Sequence, residues 1–124
     1  MTEQHDRFLQ IGVNLPELLS RVENDYNLLG ELIGIFKEEF PRLLQLLRES
    51  ITREDMKNVE VSSHALKGML SALSVTRAAA IASRLEQMGR DGKTEGLTDV
   101  LILIEREVAN SMPELDTYIA EMKR

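Results

Sequence analysis

Val59-Glu-Val-Ser-Ser-His64-Ala-Leu-Lys67-Gly68-Met-Leu-Ser71-Ala-Leu73 is the stretch whose phase decides how the chain folds. On a helix turning about 100° per residue, with Val59 at zero, Leu66, Leu70, Leu73 and Ser63 fall within about 40° of it. That is a buried stripe. His64 falls near ~140°, Ser71 near ~120°, Gly68 near ~180° and Lys67 near ~80° on the same wheel. The imidazole therefore faces solvent, with Lys67 and Gly68 beside it one turn later. Val61, Ala65, Met69 and Ala72 form a second stripe, suited to packing or to a docking rim.

Working outward, the same period recurs. Towards the N-terminus, Asp25 can cap a long helix to about Ser50, with apolar positions Leu28, Leu29, Leu32, Ile35, Phe36, Phe40, Leu43, Leu47 and Ile51. Pro41 should kink it. Before it, Asn14 and Glu17 read as a capping box for a short helix over residues 15–23, with Pro16 tolerated in the first turn. Residues 1–13 read as a flexible tail, and residues 14–124 as one domain. Thr52, with Asp55 three residues on, resembles the start of the third helix, which runs to about Ser74. Thr76 opens a fourth, with Ala78, Ile81, Ala82, Leu85 and Met88 in register, closed by Gly89 and Gly92. Thr94 to about Met122 forms a fifth, with Leu97, Leu101, Ile104, Val108, Leu115, Ile119 and Met122 in one stripe and Pro113 kinking or dividing it. Short loops between long amphipathic helices imply an all-α fold. The expected form is an antiparallel up-and-down four-helix bundle with a short additional N-terminal helix.

Composition narrows the function. A chain of 124 residues suits one domain. There is no Cys, which excludes disulfides, thiolate metal sites and cysteine nucleophiles. Lys and Arg total 15 against 21 Asp and Glu, a net charge of −6, so nucleic acid is not an expected partner. No apolar run approaches the ~20 residues of a membrane span. Nor is a signal peptide visible in the polar residues 1–10. His5 and His64 are too far apart in sequence for a local metal motif. Met56, Met69 and Met88 read as core filler.

The chemistry converges on His64. A solvated imidazole is largely neutral near pH 7 and keeps a lone pair that can attack phosphorus. The Lys67 ammonium at i+3 can meet phosphoryl oxygens as a mobile point charge. A side chain at position 68 would lean back over His64; glycine leaves that space open, at a helix-propensity cost of about 1 kcal/mol. Glu60, one turn before His64, lies within reach of the ring.

His64-Ala-Leu-Lys67-Gly68 resembles the H-x-L-K-G motif of histidine-containing phosphotransfer (HPt) domains. Phe36-x-x-x-Phe40 with its following leucines, and Leu85-Glu86 followed by glycines, resemble neighbouring segments of that family, over residues 14–122. Two positions depart from it. Ser74 stands where many members have Gly, and Ser63 where Ala is common. The resemblance implies a phosphorelay intermediate. It would accept a phosphoryl group on His64 from a receiver-domain phospho-aspartate and pass it to another receiver. Lys67, Gly68 and Ser71 would complete the phosphoryl site, and Val61, Ala65, Met69 and Ala72 would dock the partner. The partners implied are response-regulator receivers and a hybrid sensor histidine kinase. The chain itself needs no cofactor or metal, the receiver supplying Mg²⁺, and has no kinase activity of its own. It would be a cytoplasmic monomer, free-standing or the cytosolic part of a membrane-bound hybrid kinase. Two other readings compete. A histidine-kinase dimerisation domain would place an acidic residue after the acceptor, where Ala65 stands, and would need a Gly-rich ATP segment that the chain lacks. A helical docking or scaffold module would use the same surface without phosphorylating His64.

Overall fold

Three of the helices begin where a short polar side chain can satisfy free backbone amides. Asn14, Asp25 and Asp55 each accept a hydrogen bond from the amide three residues on, at Glu17, Leu28 and Asn58. The computed structural model describes residues 12–123, which form five α-helices and no strand. They are α1 (Leu15–Arg21), α2 (Tyr26–Thr52), α3 (Met56–Ala72), α4 (Thr76–Asp91) and α5 (Leu97–Met122). α2 packs on α3 and α5, and α4 packs on the same two helices, so the four long helices close into a ring around one core. α1 lies over the α3–α4 turn: the Asn14 amide donates to the Ser74 carbonyl, and Arg21 donates to the Ser71 carbonyl.

Several expected boundaries move. Thr52 does not start α3; it ends α2, its hydroxyl donating to the Arg48 carbonyl at 2.9 Å. Asp55 is the cap instead. α5 starts at Leu97 rather than Thr94, because Gly96 takes φ +84° and reverses the chain there. Gly92, at φ +69°, ends α4 as expected, but Gly89 lies inside α4 and is buried. Pro41 and Pro113 sit within continuous helices, and Pro113 does not divide α5. Residues 1–11 of the expected tail, with His5, lie outside the described residues. Val13, placed in that tail, is buried in the core, so packed structure begins before Asn14.

The phase of α3 is as read. Val59, Leu66 and Leu70 are fully buried and His64 is outside. Each such leucine is worth roughly 1.5–3 kcal/mol when buried, so no rotation that sealed His64 inside could compete. On α2 the stripe shifts. Leu29, Ile33, Phe36, Phe40, Leu43, Leu44 and Leu47 are buried, while Leu28, Leu32 and Ile35 are exposed. The adjacent apolar pairs Leu28-Leu29, Leu32-Ile33 and Ile35-Phe36 leave the phase ambiguous in sequence. In each pair the second residue turns in. Met122, expected on the α5 stripe, is exposed, whereas Leu97 through Ile119 of that stripe are buried. No helix among the described residues is long and apolar enough to cross a membrane.

Candidate functional site

α3 presents His64 to water, with 69% of its side chain exposed. Its Nδ1 lies 2.9 Å from Oε2 of Glu86, a residue of α4 whose side chain is only 7% exposed. The other carboxylate oxygen of Glu86 takes the Lys67 ammonium at 2.6 Å. Arg90, one turn beyond Glu86, reaches Oε2 at 3.3 Å and also holds Glu60 at 3.0 Å. Lys57 closes the ladder on Glu60 at 3.4 Å. One buried carboxylate thus binds the histidine and the lysine that the sequence singled out.

Glu86 is the pivot. The Lys67 hydrogen bond, reinforced by His64, holds its carboxyl below the ordinary carboxylate range, although burial pushes the other way. An ionised carboxylate only accepts, so Nδ1 of His64 must donate to it. When neutral, the ring then carries its proton on Nδ1 and keeps the lone pair on Nε2. Glu60 is likewise held low, first by its hydrogen bond to Arg90 and then by Lys57. It does not bind the imidazole, as its position one turn before His64 had suggested. Arg90 draws it away.

Gly68 is exposed, and a Cβ built on it would meet nothing within 4 Å. The surface one turn after His64 is therefore open. Ser71 is exposed further along the same side; its carbonyl is taken by Arg21, and it is not among the side chains that meet at Glu86. Val61, Ala65 and Ala72 are exposed and Met69 is half-buried. Met69 and Ala72 line a shallow apolar pocket with Leu73 and with Leu32, Ile35 and Phe36 of α2. The apolar stripe of α3 thus continues onto the outward strip of α2. Met56, Met69 and Met88 pack partly against the core.

The two departures from the motif have local consequences. Ser74 takes φ +55°, a left-handed conformation that glycine adopts freely, and its hydroxyl donates to Glu17 at 3.2 Å. Ser63, fully buried beneath His64, has an Oγ without a hydrogen-bond partner.

Sequence reading missed Glu86 and Arg90 as parts of the site. A signal was present: Glu86 lies on the inward stripe of α4 with Ala78, Ala82 and Leu85, where a carboxylate needs a cation. Among the described residues no group of three or more His, Cys, Asp or Glu side chains is placed to hold a metal ion.

A family model described as "Hpt domain" matches residues 31–123. No curated protein and no solved structure matches the chain. The chain belongs to the Hpt domain family. Members of that family act in histidine phosphotransfer within two-component phosphorelays, as phosphocarriers rather than kinases, together with receiver domains and kinases.

Proposed function

We propose that this chain is a phosphorelay intermediate in which Nε2 of His64 carries the phosphoryl group between receiver-domain aspartates. The observation that supports it most is the grip of Glu86 on Nδ1, which leaves Nε2 bare in water beside the open surface at Gly68. The lone pair on Nε2 attacks the phosphorus of an aspartyl phosphate. A P–N bond forms as the P–O bond to the carboxylate breaks, and the aspartate leaves with the electron pair. The proton on Nδ1 stays shared with Glu86 throughout. Lys67 turns from Glu86 towards the phosphoryl oxygens, and Arg90 and His64 remain to balance Glu86. Gly68 lets the receiver approach closely, and Ser71 borders the site. Onward transfer reverses the step at a second receiver.

In this reading the receiver brings Mg²⁺ and the chain binds no cofactor of its own. Docking uses Val61, Ala65, Met69 and Ala72, extended by Leu32 and Ile35. The short loops support an antiparallel up-and-down bundle capped by α1, and in this reading the chain works as a cytoplasmic monomer. Incubation with phosphorylated receivers tests the proposal. Label should move to the wild-type chain and not to His64→Gln. A wild-type chain that stays unlabelled across the receivers of its own organism would leave only a docking role.

A further inference from the structure

The proposed role uses Gly68 and leaves Gly89 without a task. Gly89 is buried within α4 and faces α3 at backbone range. A Cβ on it would lie 2.7 Å from the Glu60 amide nitrogen, 3.0 Å from the Glu60 Cα and 3.1 Å from the Met56 carbonyl oxygen. All three are main-chain atoms, so no rotamer change would make room. Gly34, a helical glycine of α2, has nothing within 4 Å of such a Cβ. Gly89 is therefore a point where α4 and α3 meet main chain to main chain. Glu86 lies one turn away from it on α4, and His64 lies one turn beyond Glu60 on α3. Arg90, next to Gly89, spans Glu60 and Glu86.

We propose that Gly89 is a positioning residue: its missing side chain sets the α3–α4 separation that holds Glu86 against His64 and Lys67, and so fixes which imidazole nitrogen is left bare. Real Cβ atoms make ordinary contacts from 3.4 Å outward. A methyl group at position 89 therefore forces the two helices apart by several tenths of an ångström. The Glu86 contacts of 2.9 Å to His64 and 2.6 Å to Lys67 are one turn away and share that shift. Such a stretch takes the 2.9 Å His64 contact beyond the usual hydrogen-bond range of about 2.7–3.2 Å. Released from Glu86, the ring can take the tautomer with its proton on Nε2, which removes the attacking lone pair. This last step rests on the proposed phosphotransfer; the control of the tautomer does not.

The test uses ¹⁵N-labelled, unphosphorylated protein carrying Gly34→Ala, which strengthens α2 without a clash. Two-bond ¹H–¹⁵N correlations of the His64 ring should show Nδ1 protonated and Nε2 bare. Adding Gly89→Ala should convert this to a mixture of tautomers while helical circular dichroism persists. Phosphoryl transfer should slow severalfold, in step with the fraction of rings whose Nε2 has gained the proton. The same Gly89→Ala change should have no further effect in a Glu86→Ala background. An unchanged tautomer, a wild-type ring protonated on Nε2, additive rate effects, or loss of the helical signal would each overturn the assignment. Should the wild type accept no phosphoryl group from any receiver, the proposed function fails, and the ring spectra still decide the role of Gly89.

Discussion

The seam between α3 and α4 and the seam between α2 and α5 are built on different terms. At the first, main chains touch at Gly89, and a buried carboxylate ties His64 and Lys67 together. At the second, Phe40, Leu44, Val108 and Met112 line an open groove that both internal prolines border. The ion pairs Lys37–Asp116 and Arg48–Glu105, both exposed, bridge that seam, as does a hydrogen bond between the Tyr26 and Tyr118 side chains. Close backbones bring side chains of both helices to one carboxylate that is itself sheltered from water, where its charge counts for more. Wide seams leave the work to apolar packing. The contrast predicts that the first seam sets reactivity and the second stability.

Truncation in the groove should have the largest effect on stability. Phe40 is nearly buried and stacks on Phe36 with ring centroids 5.1 Å apart. Phe40→Ala should cost roughly 3–5 kcal/mol in denaturant melts, with transfer unchanged while the protein stays folded. A rate loss in the folded variant would blur the contrast. Glu86→Ala should do the reverse. Transfer should fall by roughly tenfold to a hundredfold, about 1.4–2.7 kcal/mol in the barrier, with helical circular dichroism retained. Gly68→Gln should slow transfer by about tenfold through obstruction alone, which leaves the His64 tautomer as in wild type; equal rates would refute the clearance role. Acid should act on the tight seam first. The carboxyls of Glu86 and Glu60 sit lower in the folded state than in the unfolded chain. Their stabilisation is complete above the unfolded value of about 4.5 and is lost as pH falls through the lower folded values. Thermal melts should thus lose stability below that pH, and less so in Glu86→Gln. Lys37→Ala and Arg48→Ala should be the smallest changes, no more than about 1 kcal/mol each, because exposed pairs contribute little.

Much of α3 was legible because its information is local. The spacing of Val59, Leu66, Leu70 and Leu73 fixes the outward direction of His64, and the polar caps Asn14 and Asp25 mark two helix starts. Phase was lost on α2, where paired apolar residues fit two stripes equally well. Glu86, Arg90 and Gly89 were not placed at the site because their roles come from what α4 touches across the seam. Periodicity along one helix cannot choose a partner on another. Gly89 illustrates this best: in sequence it resembles a helix terminator, and only the nearby Glu60 backbone shows that it is a contact point.

The unpartnered hydroxyl of Ser63 has a practical consequence for anyone wishing to harden the protein against heat. A buried oxygen with nothing to bind gives up its hydration and gains no bond in return. Ser63→Ala removes that debt without opening a space larger than one atom. The melting temperature should rise by about 4 °C, the equivalent of about 1 kcal/mol for a domain near this size.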